Sequence, residues 1–196
     1  MMIYTLFGAM ALAAPTDFSK AEVIVSGEPT VRCAPFDGQR WCQSVGRFDV
    51  PVADVAKVLE DPSKFPTVFP RVTTADPLSE DVLHIVLDMP FPLSNRDYVA
   101  KFDVTESNGS KVISWSAVTH PKAPRPAGVR LTQAAGSWTL TPEGTGTKMT
   151  YVWNGELGGG LPAWIHRRAW TLQGTEILGW IDDALAGRKA AAAAME

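Results

Sequence analysis

Tyr151-Val152-Trp153-Asn154-Gly155-Glu156-Leu157-Gly158-Gly159-Gly160-Leu161-Pro162-Ala163-Trp164-Ile165 decides the fold of this chain. Two periodicities meet in it. Up to Asn154 the residues alternate as on a half-buried strand, with Met149, Tyr151 and Trp153 inward and Lys148, Thr150 and Asn154 outward. Gly158, Gly159 and Gly160 then break the extended pattern. Pro162 opens a helix, where its fixed φ and missing N–H do no harm. That helix is predicted to run to about Leu185, with Trp170, Gly174, Ile177, Ile181 and Ala184 in one stripe. A glycine inside a helix costs about 1 kcal/mol relative to alanine. Gly174 therefore implies either close helix–sheet packing or room left for something else.

A second informative stretch lies upstream: Met89-Pro90-Phe91-Pro92-Leu93-Ser94-Asn95-Arg96-Asp97-Tyr98-Val99. Two prolines end one strand, and an Arg-Asp pair opens the next. On that strand Tyr98, Ala100, Phe102 and Val104 share the face predicted to be buried. Asp97, Lys101 and Asp103 share the face predicted to be solvated. On a further strand Ile113, Trp115 and Ala117 share one face.

The remaining chain reads as strands with a few short helices. Glu22 to Val25 is a first strand, and a hairpin follows at Asp37-Gly38. Pro51 to Glu60 has helical spacing, with Val52, Val55, Val58 and Leu59 on one face, and Pro62 and Pro66 cut it short. Strands are predicted at Val82–Asp88, Asp97–Thr105, Val112–Thr119, Val129–Gln133, Ser137–Leu140 and Lys148–Asn154. Asn108-Gly109 is a tight turn, and Pro121, Pro124 and Pro126 mark a loop. A meander of strands followed by a long C-terminal helix is an α+β arrangement, an antiparallel sheet with segregated helices.

The two quoted stretches, in this order, resemble START domains, the lipid-transfer branch of the Bet v 1-like (SRPBCC) helix-grip superfamily. That family shows a Pro…Arg-Asp-aromatic segment in mid-chain and a strand–Gly–Leu-Pro–helix junction near the end. The resemblance covers about Glu22 to Leu185. It implies a helix-grip fold, a curved antiparallel sheet wrapped around the C-terminal helix with a hydrophobic tunnel between them. Sterol-binding members carry a buried Arg on the strand after their Arg-Asp pair. Phe102 stands at the matching position here, which points to an apolar or acyl ligand rather than a sterol held by an ion pair.

Composition sets the bounds. At 196 residues and 45% hydrophobic content the chain suits one domain with a sizeable core. A net charge of -3 argues against a nucleic-acid surface, which needs a basic stripe. The organisation expected is a signal peptide over residues 1–14, a START-like domain over 15–186 and an Ala-rich tail over 187–196. Met1 to Ala14 is a short apolar run ending in the small-x-small pattern Ala11-Leu12-Ala13, without a preceding Lys or Arg. The alternative is a short N-terminal helix packed on the domain.

Cys33 and Cys42 support export, periplasmic or secreted. Folding the chain at Asp37-Gly38 pairs Phe36 with Gln39, Pro35 with Arg40, Ala34 with Trp41 and Cys33 with Cys42. Pro35 and the cysteines then fall on non-hydrogen-bonded rungs, where a missing N–H is tolerated and the α-carbons sit close enough for a disulfide. Disulfides persist in oxidising compartments. Two free thiols in a reducing cell are the alternative.

Enzyme signatures are sparse. His84, His120 and His166 stand at no metal-ligand spacing, and no nucleophile elbow or phosphate loop is present. Neither metal nor cofactor is implied. The candidate ligand-binding residues are His84 and Asp88, which share a strand face, with Tyr98, Phe102, Trp115, Met149, Tyr151, Trp153, Trp170 and Ile177. For each apolar one a solid core is the competing reading. The predicted activity is binding and transfer of a lipid or another hydrophobic small molecule, with transient membrane contact, no nucleic-acid partner and no catalysis. A polyketide cyclase or aromatase of the same superfamily is the second reading, with His84, Asp88 and Tyr98 as its acid–base groups. A protein-binding module with a filled core is the third.

Overall fold

A computed structural model describes residues 14–193 except 92, 156 and 159, with side chains described up to residue 187. The predicted signal peptide, apart from Ala14, lies outside the described residues. The strands are β1 (Glu22–Val25), β2 (Thr30–Phe36), β3 (Gln39–Phe48), β4 (Val72–Pro77), β5 (Val82–Leu87), β6 (Arg96–Ser107), β7 (Ser110–Ala117), β8 (Val129–Arg130), β9 (Ala135–Glu143) and β10 (Gly146–Asn154). The helices are α1 (Val52–Leu59), α2 (Phe65–Val68) and α3 (Ala163–Ala193). The strands form one sheet in the order β1-β2-β3-β10-β9-β7-β6-β5-β4, with β8 paired in parallel to β6. Every other pairing is antiparallel. A large antiparallel sheet gripping a long C-terminal helix is the helix-grip fold expected from the sequence.

Local chemistry explains most boundaries. Asp37 and Gly38 both adopt positive φ, the geometry of a two-residue hairpin turn. The register is the one predicted, with Cys33 opposite Cys42. Their α-carbons are 4.1 Å apart and their sulfurs are bonded. Asn108 and Gly109 turn β6 into β7 in the same way. Pro62 and Pro66 do not merely end α1. Pro62 begins a single 3-10 turn and Pro66 lies in the first turn of α2, positions where a missing N–H breaks no helical bond. The strand β4 was absent from the sequence reading. Val-Thr-Thr-Ala-Asp-Pro is short and weakly patterned, and it is a strand because it pairs β5 at the sheet edge across a bulge.

The main core lies between the inner face of the sheet and the three helices, where Val55, Leu59, Ile85, Ile113, Leu140, Met149 and Ile181 are buried. Gly174 belongs to this packing. A Cβ there would lie 2.7 Å from Val31 and 3.0 Å from Trp153, and Ser44 Oγ donates to the Gly174 carbonyl at 2.6 Å. Close helix–sheet approach is therefore the reason for the glycine. Phe18 packs with Phe36, Trp41 and Val152 in a smaller cluster. The helix α3 continues past Leu185 into the Ala-rich segment, reaching Ala193.

Candidate functional site

A cavity of about 200 Å³ lies between the inner face of the sheet and α3. Strand alternation builds one wall. Trp115 on β7, Trp138 on β9, and Tyr151 and Trp153 on β10 stand on neighbouring rungs of the inner face. Their rings form a continuous surface, with centroids 4.2 Å apart for Trp115–Trp138, 5.7 Å for Trp138–Tyr151 and 4.6 Å for Tyr151–Trp153. Gly136 makes this possible. It lies opposite both Trp115 and Trp153, and a Cβ on it would come within 2.3 Å of the Trp115 indole.

The opposite wall is a helical stripe on α3: Ile165, Ala169, Leu172, Glu176 and Trp180, with Gln173 and Ile177 beside it. It adjoins the predicted Trp170–Gly174–Ile177–Ile181 stripe, which packs on the sheet. Phe65 from α2 and Phe69 just after it also line the cavity. Met89, Pro90 and Leu93 reach in from the β5–β6 loop, and Leu131 and Ala134 from the segment before β9.

The polar groups in this lining are few and specific. Arg71 and Glu176 form a two-pronged ion pair, 2.7 Å in each arm. The Glu176 hydrogen bonds outweigh burial and raise the Arg71 pKa above its ordinary value. Gln173 Nε2 donates to the Tyr151 hydroxyl at 2.8 Å. Burial pushes the Tyr98 phenol well above its ordinary pKa, and for Tyr151 burial outweighs the Gln173 hydrogen bond in the same direction. Both phenols are therefore neutral at physiological pH. Arg96 is 2% exposed, and its Nε donates to the Leu157 carbonyl at 3.0 Å.

Of the ten residues proposed from sequence to bind a ligand, Tyr98, Trp115, Tyr151, Trp153 and Ile177 line the cavity together. Five do not. Phe102 and Met149 face inward but lie in filled core. Phe102 packs on Phe65 at 5.9 Å and on Trp115 at 6.5 Å. Trp170 sits beside the cavity as a clamp. Its indole N–H donates to the Gly155 carbonyl at 2.5 Å, and the Arg40 guanidinium lies 5.0 Å from the ring centroid. His84 is turned away from the cavity, and Asp88 is outside its lining. Ile85 opposes Tyr98 in register, so Leu83, Ile85 and Leu87 face inward and His84 faces out. Asp88, just beyond β5, is exposed, and its backbone N–H donates to the Arg71 carbonyl at 2.8 Å.

Asp97, expected in solvent, is fully buried. The segment ending in β8 covers the outer face there, and Asp97 accepts hydrogen bonds from His84 Nε2 and Arg130 Nε, each at 2.8 Å. Asn154, also expected outward, is buried, with its amide donating to Gln39 and to the Gln133 carbonyl, each at 3.1 Å. Val104, expected inward, is exposed toward the far end of β6.

The sequence reading missed Trp138, Phe65, Phe69, Trp180, Arg71, Arg96 and Glu176 as lining residues. Alternation along β9 puts Trp138 on the face of Leu140. The α3 stripe has spacings of three and four that the sequence displays. Arg71 and Phe69 lie in a segment between elements, where no period exists to reveal them. Among the described residues no group of three His, Cys, Asp or Glu is placed to hold a metal, and no helix is long and apolar enough to cross a membrane.

Comparison with known proteins agrees with this geometry. A STAR-related lipid transfer protein from Xanthomonas axonopodis has a similar structure, with TM-score 0.73, 25% identity, and coverage of 85% of this chain and 98% of that one. Human STARD10 shares the fold with TM-score 0.74 at 18% identity, over 93% of this chain and 84% of that one. A curated relative, the uncharacterized protein PA1579 of Pseudomonas aeruginosa, is 32% identical over 81 residues, a match spanning 40% of each chain. The START domain family model matches residues 29–177, and the chain belongs to the START domain family.

Proposed function

We propose that this chain binds a lipid or another hydrophobic small molecule in the cavity between the sheet and α3, and that it sequesters or transfers this ligand without converting it. The observation that carries the reading is the cavity itself, walled by Trp115, Trp138, Tyr151 and Trp153 and faced by apolar residues of α3. Each buried methylene is worth about 0.8 kcal/mol, so exposing a chain of about 16 carbons to water costs roughly 12 kcal/mol. An apolar cavity avoids most of that cost, and this makes carriage useful. The lipid-transfer name of the Xanthomonas structure supports the same reading. The cyclase reading loses two of its three acid–base groups, because His84 and Asp88 lie off the cavity. The third, Tyr98, is a phenol whose raised pKa suits it poorly to proton transfer near neutral pH.

The proposal includes transient membrane contact and export. Phe91 is 98% exposed and Trp164 is 68% exposed. They stand on the β5–β6 loop and the first turn of α3, two segments that also line the cavity. Exposed aromatics at such a rim suit a membrane interface, where one side of the ring is apolar and the other wet. The loop around Pro121 to Pro126 and α3 are the proposed gates. The Cys33–Cys42 bond supports an oxidising compartment.

Mass spectrometry of solvent extracts from purified protein tests the binding. A stoichiometric amphiphile is expected, and a protein that neither retains nor takes up any apolar ligand overturns the reading. Vesicle-to-vesicle transfer of a fluorescent lipid tests carriage, and Phe91→Ala with Trp164→Ala should slow it. Export predicts a mature chain beginning near Ala14 with an intact Cys33–Cys42 bond, and N-terminal sequencing that finds Met1 retained together with two alkylatable thiols in the native protein overturns it.

A further inference from the structure

We propose that the cavity selects an anionic single-chain amphiphile, a long-chain monocarboxylate, whose carboxylate meets the Arg96 guanidinium while its chain lies among the aromatic rings. The proposal rests on reading the cavity as a ligand site.

Arg96 opens β6 opposite Leu87 and shares the inner face with Tyr98. It is almost fully buried, yet its hydrogen bonds among the described residues go to neutral oxygens: the Leu157 carbonyl, the Ser94 carbonyl and, at 3.4 Å, Ser94 Oγ. No carboxylate among the described residues pairs with it. Its neighbour Asp97 points through the other face of the sheet to His84 and Arg130. Glu176, the carboxylate in the cavity lining, is held by both arms of its pair with Arg71. A buried cation without a counter-charge is costly, so such groups are normally paired. The planar fork of a guanidinium matches a carboxylate in geometry as well as charge.

Two further observations agree. Arg168, on the α3 side of the lining, is exposed and has no ion pair among the described residues. With Arg71 matched by Glu176, the lining carries two unmatched positive charges, on Arg96 and Arg168. The indole N–H groups of Trp138 and Trp153 are buried with no acceptor among the described residues. The wall therefore has surplus donors, and an ionised carboxylate is an acceptor only. A cavity of about 200 Å³ lies at the small end for a ligand site and argues against a two-chain phospholipid lying wholly within it.

The test compares laurate, 1-dodecanol and dodecyl phosphate on delipidated full-length protein by titration calorimetry. A charge-assisted hydrogen bond predicts that laurate binds about tenfold or more tighter than dodecanol. Arg96→Gln should abolish that preference while leaving dodecanol affinity within a few-fold, and Arg96→Lys should keep part of it. Equal affinity of laurate and dodecanol for the wild-type protein overturns the proposal while leaving the cavity reading intact. That comparison does not depend on any variant folding. Tighter binding of dodecyl phosphate than of laurate overturns the carboxylate assignment. Failure of all three to bind removes the cavity reading and this inference together.

Discussion

His84 Nε2 lies 2.8 Å from Asp97 Oδ2 on the outer face of the sheet, turned away from the cavity that Tyr98, the next residue after Asp97, helps to line. The same carboxylate oxygen lies 2.6 Å from an Arg130 terminal nitrogen. Arg130 also donates to the Pro124 carbonyl at 2.9 Å, and Leu131 N–H donates to the Asp97 carbonyl at 2.8 Å. Asp97 thus fastens to the sheet a segment whose next residues, Leu131 and Ala134, line the cavity. A polar cluster outside the site holds part of its wall in place.

Acid should release that fastening. Burial raises the Asp97 pKa, but the hydrogen bonds from Arg130 and His84 outweigh it and hold the pKa below its ordinary value of 3.8. A depressed folded-state pKa gives stability that is fully present above the unfolded value and lost as pH falls through the folded one. Asp97→Asn should cost about 3 kcal/mol near neutral pH, the lower end for a broken buried pair because Arg130 is partly exposed. Thermal melts between about pH 5 and about pH 2 should show a shallower acid decline for the variant. An unchanged decline would remove Asp97 from this role.

Carriage and catalysis separate at three side chains. For a carrier, His84→Ala, Asp88→Asn and Tyr98→Phe should each leave vesicle-to-vesicle lipid transfer within a few-fold, once folding is checked. Losing a catalytic acid or base typically lowers a rate by about 10²–10⁴. A drop of about 100-fold at one position, with ligand binding intact, would favour the enzyme.

Gly136 should be sensitive beyond its size. Any side chain there meets the Trp115 indole at 2.3 Å. Gly136→Val should drive the indole from its place and cost about 1–3 kcal/mol through overpacking. Ligand uptake by the variant should fall, and tryptophan fluorescence should report the displaced ring. Normal uptake with unchanged fluorescence would contradict the packing described.

Phe102 and Trp153 should part company. Phe102 lies in filled core, so Phe102→Ala should lower stability by about 3–5 kcal/mol and leave apolar-ligand affinity of the folded protein within a few-fold. Trp153→Ala strips cavity wall and should weaken affinity about tenfold or more. Denaturant melts and calorimetric titration distinguish them, and the reverse pattern would put Phe102 in the site.

The sequence by itself determined the elements that depend on local chemistry. Asp37-Gly38 and Asn108-Gly109 set the hairpin turns, and the first of these set the register that joins Cys33 to Cys42. The Pro162 junction set the long helix, and the paired motifs carried the resemblance to the family. Alternation also found the inner aromatics of β7 and β10. Alternation failed on β5, because Val82-Leu83-His84-Ile85-Val86-Leu87 is apolar on both faces and carries no sign of which side is in. Only tertiary structure decided that His84 faces out, since the answer lies in its pairing with β6 and in the segment that covers Asp97. Only tertiary structure separated Phe102 from the cavity too. Both faces of that distinction are apolar, and whether a ring meets another ring or empty space depends on α2 and α3, which arrive from elsewhere in the chain. Arg71 and Glu176 are 105 residues apart, and no local pattern relates them. The sheet's grip on α3 brings them together, and with them the few charges that the cavity contains.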